Sequence, residues 1–197
     1  GLTATPERGD DNELGDFFDE ISYQYNLADG IRDGFLSPIK GKRITDVDID
    51  ISDLSFSSSG EFSKESEKQI EERVLKNIDA MAEAIFRETI EKKTLVFTVN
   101  VKIADILAIK LKKLGLKAQS LSYKTDKKVR KQIIDDYRKS KITHLVNATL
   151  LSTGFDCPDI NAIVLAKPTN SRVLLSQQVG RGTRIFEGKT ECTIFDF

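Results

Sequence analysis

From residue 94 onward, short apolar runs alternate with longer stretches in which apolar positions recur every three or four residues. Residues 94–99 (Thr-Leu-Val-Phe-Thr-Val) are short, apolar and rich in β-branched side chains, which predicts a buried strand. Residues 101–114 then place Ile103, Ile106, Leu107, Leu111 and Leu114 on one helical face, and Gly115 stands where a helix C-terminus favours glycine. The alternation repeats as a strand over 118–123, a helix from Asp126 with Val129, Ile133 and Tyr137 in line, and a strand over 143–148. A strand over 161–166, a helix over 171–181 and a strand over 191–197 complete it. Continuous apolar strands separated by helices are βαβ units, so the predicted fold class is α/β: a parallel sheet with helices on both faces. In such sheets ligands sit at the carboxyl ends of the strands, which singles out the loops around 98–101, 123–126, 149–157 and 167–171.

Upstream the pattern differs. Residues 13–36 carry scattered apolar positions, with a short helix predicted over 27–33 and a stop at Gly34. Ile44, Val47, Ile49 and Ile51 interleave with Asp46, Asp48 and Asp50, which predicts a strand with one wet face. Ser57-Ser58-Ser59-Gly60 reads as a loop and marks a boundary. From Ser63 a long amphipathic helix is predicted, with Ile70, Val74, Ile78, Met81 and Ile85 on its apolar face. The opening residues lack a methionine and run into proline, glycine and charge, as the cut end of a longer chain would.

Composition narrows the class. The 197 residues are 39% hydrophobic and 31% charged, with four prolines and no tryptophan, which excludes collagen-like, proline-rich and disulfide-scaffold proteins. No stretch reaches the roughly 20 apolar residues of a membrane span, and no signal-peptide profile opens the chain, so a soluble cytoplasmic protein without membrane partners is expected. Cys157, Cys192 and the only histidine, His144, have no metal-ligand spacing, so reduced thiols are expected and no metal site. The overall charge of −1 hides an asymmetry: residues 1–72 sum to −11 and residues 73–197 to +10. The basic part suits a phosphate backbone, although a lysine-rich helical face can equally be a solvated face.

Three segments carry candidate chemistry. Residues 182–190 resemble a phosphate-binding loop superficially, but five residues separate Gly182 from Gly188 where that loop requires four, and a strand follows where it requires a helix. Gly188-Lys189 is therefore read as a turn into the last strand. In Gln177-Gln178-Val179-Gly180-Arg181-Gly182-Thr183-Arg184, two arginines three apart end a helix between glycines that permit close backbone approach. Such a guanidinium pair can grip a triphosphate and offset charge during phosphoryl transfer, or it can cap the helix through its dipole. Residues 150–159 offer hydroxyls, Gly154 and Asp156 just past a buried strand, suited either to phosphate and ribose contacts or to a glycine turn ended by Pro158.

In their joint order these pieces resemble the second motor domain of a superfamily 2 helicase, nearest to the restriction and repair type of DNA translocases among the DEAD/DEAH-box helicases. Thr3-Ala4-Thr5-Pro6 with Glu7-Arg8 resembles motif III, and Leu95-Val96-Phe97-Thr98 with its following helix resembles motif IV. Residues 152–158 resemble motif V and residues 177–184 motif VI. The resemblance implies a RecA-like domain over 61–197, preceded over 1–60 by a stub of motif III and an acidic connector.

The resemblance further implies roles. Arg184 is the arginine finger, Arg181 a second γ-phosphate contact and Gln177 a sensor of nucleotide or nucleic acid. Gly154 and Asp156 approach the ribose and phosphates of ATP. Thr98, Val99, Asn100, Thr125 and Thr153 meet nucleic-acid phosphates, with DNA the expected partner and RNA not excluded, and Lys124, Lys127 and Lys128 add nonspecific attraction. Nothing in the chain matches the family's own phosphate loop or its Asp-Glu motif, so the magnesium ligands for MgATP belong to a first RecA-like domain of the same protein. Alone, the chain is expected not to hydrolyse ATP. Two alternatives stay open: a non-catalytic nucleic-acid-binding or scaffold module with this fold, and a small kinase built on Gly188-Lys189-Thr190.

Overall fold

The computed structural model describes residues 22–47, 49–55, 62–148, 151, 155–169 and 171–197. The first element of the described residues, α1 (Leu27–Arg32), starts from a capping box. The Asn26 side chain accepts from the Asp29 N–H, and the Asp29 carboxylate accepts from the Asn26 N–H. Gly34, at φ +79°, ends the turn after it. The strand β1 (Ile39–Arg43) follows, exposed at all five positions. Among its described residues, the 44–51 segment forms no strand. Ile44 and Val47 are buried, and Ile49 and Ile51 partly so, against a helical layer. A period-2 pattern records one-sided burial, and a chain crossing a packed layer satisfies it as well as a strand does.

The long helix expected from Ser63 is two: α2 (Lys64–Lys76) and α3 (Ile78–Thr89). Asn77, at φ −104° and ψ 9°, breaks it, with its side-chain amide donating to the Arg73 carbonyl at 3.0 Å. The βαβ part follows the predicted order, with each end within one or two residues of expectation. It comprises β2 (Thr94–Thr98), α4 (Val101–Lys113), β3 (Ala118–Leu121), α5 (Lys127–Arg138), β4 (His144–Asn147), β5 (Ala162–Ala166), α6 (Arg172–Val179) and β6 (Cys192–Asp196). Gly115, at φ +99°, closes α4 in a Schellman motif: the Leu116 N–H donates to Leu111 and the Gly115 N–H to Lys112.

Among the described residues the six strands are all parallel, in the order β1-β6-β5-β2-β4-β3. Successive side chains alternate between faces, so Val96, Val146, Val164 and Phe195 pack against α2, α3 and α4. Leu95, Phe97, Leu145, Ile163 and Ile194 pack on the other face with Ile133 and Tyr137 of α5 and Val179 of α6. This is the expected α/β sheet covered on both faces. The acidic segment is joined to it, since β1 extends the sheet at β6 and Ile44, Val47 and Leu54 enter the core beside α2 and α3. Both cysteines are buried free thiols, and burial pushes Cys157 up to about 12 and Cys192 up to about 11. No helix among the described residues is long and apolar enough to cross a membrane.

Candidate functional site

α6 is capped by Ser171, whose hydroxyl accepts from the Leu174 N–H at 3.2 Å, and it runs out at Gly180. The chain then presses onto the sheet. A Cβ added at Gly182 would lie 2.3 Å from Cys192 Sγ and 3.1 Å from Ile163 Cγ1, so only glycine lets the backbone come this close to the start of β6. Arg181 and Arg184 flank this contact. Arg181 is partly buried, and its Nη1 donates to the Phe155 carbonyl at 2.8 Å. Burial, and after it the Arg184 cation, lower its pKa. Arg184 points outward: its side chain is 50% exposed and its Nε lies 3.4 Å from Asp156 Oδ1. The sequence-predicted Arg181, Arg184 and Asp156 thus come together as two guanidinium groups and one carboxylate at the surface. Gln177 is partly exposed on α6, while its neighbour Gln178 is fully buried, neither amide atom having a partner among the described residues.

Asp156 does not sit at the carboxyl end of a strand, as expected for the whole 149–157 loop. The segment from β4 to β5 has to cross the sheet, because parallel strands all start at the same edge. Its second half has reached the amino-terminal edge: Lys93, one residue before β2, pairs with Asp159 at 2.6 Å. Arg138, at the end of α5, donates to the Asp156 carbonyl at 3.3 Å and 3.4 Å. Lys93 is 8% exposed and also donates to the Arg138 carbonyl at 3.2 Å while lying 4.9 Å from the Tyr137 ring centre. Ser152, Thr153 and Gly154, in the first half of that crossing, lie outside the described residues, as does the segment 3–8 read as motif III.

At the opposite edge, a groove over the carboxyl ends of β2, β3 and β4 is lined by Val99, Asn100, Lys102, Ser122, Tyr123 and Lys124 among others. Two of the expected phosphate-binding side chains here, Thr98 and Asn100, are already engaged within the fold. Thr98 is fully buried, and its hydroxyl lies within hydrogen-bonding distance of the Asn100 and Asn147 carbonyls at 3.1 Å and 3.3 Å. Asn100 caps α4 by accepting from the Ile103 N–H at 3.0 Å, and its amide donates to Glu71 at 2.7 Å. Thr125 accepts from the Ser122 N–H at 3.1 Å in a turn that Arg130 braces through three carbonyls. Among the described residues this edge still offers the first backbone N–H groups of α4, the Thr125 O–H and the cation of Lys124, while the Lys102 ammonium is paired with Glu71 at 2.7 Å and keeps its remaining donors.

Residues that the motif reading missed hold the arginine segment in place. Ser37 and Lys189 together bond the Gly182, Thr183 and Arg184 carbonyls. No spacing marks them, because their partners are main-chain oxygens whose position depends on the fold. Among the described residues no three His, Cys, Asp or Glu side chains gather closely enough to hold a metal ion.

The family model described as the helicase conserved C-terminal domain matches residues 76–186, more than half of the chain. The chain belongs to this helicase C-terminal domain family. A Schizosaccharomyces pombe protein whose name describes a mitochondrial ATP-dependent helicase, irc3, is 36% identical over 199 residues, covering 100% of this chain and 32% of the relative. A solved fragment assigned as the HsdR subunit of a type I restriction enzyme from Vibrio vulnificus superposes with a TM-score of 0.76 at 29% identity, over 99% of this chain and 38% of that one. The C-terminal domain of the DEAD-box protein Dbp5 shares the fold, with a TM-score of 0.53 at 21% identity over 62% of this chain and 70% of that domain. This helicase C-terminal domain therefore has the RecA-like fold, and it spans about a third of the length of the irc3 relative. The matched range begins at the end of α2 and takes in β2 through the arginine segment, so it includes both edges described above.

Proposed function

We propose that this helicase C-terminal domain is the second motor lobe of an ATP-dependent DNA translocase, offering Arg184 to an ATP held by a first RecA-like lobe. The observation that supports this best is the half-exposed Arg184 guanidinium, whose ion-pair partner among the described residues is a surface carboxylate. Such a pair is weak in water, so a triphosphate can displace Asp156 from Arg184 at little cost. Arg181, fixed through Phe155, adds a second positive charge beside it. Two guanidinium groups against one carboxylate leave the surface short of negative charge, which a γ-phosphoryl group supplies as it transfers. Asp156, once released, is an acceptor for a ribose hydroxyl. Magnesium comes with the nucleotide, its protein ligands provided by the other lobe.

The groove at the carboxyl ends of β2, β3 and β4 forms part of the nucleic-acid track. Its contacts to phosphate fall to the first N–H groups of α4, to Thr125 and to Lys102 and Lys124, while Thr98 and Asn100 shape the loop that presents them. Backbone and lysine contacts carry no sequence information, which suits a motor that must hold any sequence. The restriction-enzyme relationship of the Vibrio vulnificus fragment favours DNA as the track.

In a protein that carries this chain together with a phosphate-loop lobe, Arg184→Ala is expected to lower ATP turnover by roughly 10³-fold or more while nucleic-acid binding survives. Turnover retained in that variant would remove the assignment. Nucleic-acid binding without turnover in the unmodified protein would instead favour a scaffold module.

A further inference from the structure

The turn at Gly188, at φ +80°, aims Lys189 back into the loop it ends. The ammonium has three donors and meets three carbonyl oxygens: Gly182 at 2.6 Å, Arg184 at 2.8 Å and Pro158 at 3.1 Å. The first two belong to the arginine segment and the third to the segment carrying Asp156. Lys189 is partly buried, and burial lowers its pKa.

Ser37, just before β1, completes the arrangement from the other side. Its N–H donates to the Thr183 carbonyl at 2.7 Å and its hydroxyl to the Arg184 carbonyl at 2.9 Å. Three successive carbonyls, at 182, 183 and 184, are thereby fixed from outside the segment. The Arg184 backbone is held by two donors while its side chain stays half exposed.

We infer that Lys189 is a positioning residue for Arg184: it clamps the arginine segment to the Asp156 segment so that the guanidinium is already aimed when a nucleotide arrives. This rests on the reading of Arg184 given above. A flexible finger would have to be ordered in every catalytic cycle, whereas a rigid main chain leaves only side-chain torsions to fix. With its ammonium taken up by three main-chain carbonyls, Lys189 acts through Arg184.

The test is single-turnover ATP hydrolysis by the protein that carries this chain with its phosphate-loop lobe. Lys189→Met keeps the unbranched side chain up to its fourth atom and removes all three donors. It is expected to slow hydrolysis about ten- to a hundredfold, with the apparent affinity for ATP changed by less than about threefold. In an Arg184→Ala background the same substitution is expected to have no further effect, because its route to chemistry is gone. Ser37→Ala, a milder lesion at the same Arg184 carbonyl, should give the same signature at a few-fold. Deuterium exchange across 182–191 should rise in Lys189→Met while β2 and β5 keep their protection. Wild-type hydrolysis in Lys189→Met, or a deficit that persists in full without Arg184, overturns the inference. Should Arg184→Ala itself hydrolyse normally, the finger reading fails, and unchanged exchange across 182–191 would show separately that Lys189 clamps nothing.

Discussion

His144 lies within β4 with no exposed surface, its Nε2 2.9 Å from the Thr89 hydroxyl and its Nδ1 2.9 Å from that of Thr143. Burial lowers its pKa from 6.5 to about 4, outweighing the hydrogen bonding with Thr89. The folded chain therefore takes up the proton less readily than the unfolded chain. The stability that goes with a neutral imidazole is fully present above pH 6.5 and is lost as the pH falls toward 4. Thermal melts should drop over that window, and His144→Gln should remove that part of the slope. A variant melting with an unchanged slope would assign it to other groups. The imidazole is thus structural, consistent with its lack of any ligand spacing in the sequence. The arginines behave differently at this scale: their spacing was readable because a helix fixes the relation of residues three apart. Lys189 looked like a mere turn residue because its three acceptors come from residues 5, 7 and 31 positions away.

Elements were predicted best where local physics decides them. The Schellman end of α4 needs only a glycine directly after the C-cap residue, and Gly115, following Leu114, provides it. Gly182 has a different reason, since its φ is unremarkable and the constraint is a neighbour from another element. Gly182→Ala should cost about 1–3 kcal/mol, as overpacking does, and adding Cys192→Ala should return part of it by clearing the Sγ atom. Equal stability of Gly182→Ala and the parent in denaturant unfolding would mean that the sheet yields there. The boundary between α2 and α3 escaped the periodicity because Ile70, Val74, Ile78 and Met81 keep helical spacing across Asn77. β1 escaped it for a different reason: Ile-Lys-Gly-Lys-Arg has no alternation, and it is a strand because β6 offers it an unpaired edge.

At the scale of the molecule, the β4–β5 crossing sets the plan. It begins beside the lysine-lined groove at one edge of the sheet and ends beside Arg181 and Arg184 at the other. The charge asymmetry fits this plan, with the net +10 of residues 73–197 containing both edges. Lys124→Ala should weaken binding to single-stranded DNA about equally for all sequences and reduce the slope of log affinity against log salt by about 1. An unchanged salt slope would place the track elsewhere. Among the described residues, the ion pairs that join the acidic segment to the rest of the chain run to α2 and α3, clear of both edges: Arg73 with Asp53 at 2.6 Å, Arg87 with Asp46 at 2.7 Å and Lys42 with Glu88 at 2.6 Å.

The sequence by itself determined the parallel α/β sheet, most of its helices and strands, and the arginine pair, because burial periodicity, glycine caps and helical spacing are short-range and leave their mark in residue order. Only the tertiary structure decided that β1 joins the sheet, that Asp156 stands at the opposite edge from the groove, that Thr98 and Asn100 serve the fold, and that Lys189 and Ser37 grip the arginine segment. Those outcomes depend on which main-chain groups meet across the folded chain, and a carbonyl oxygen looks the same in every residue until the fold has placed it.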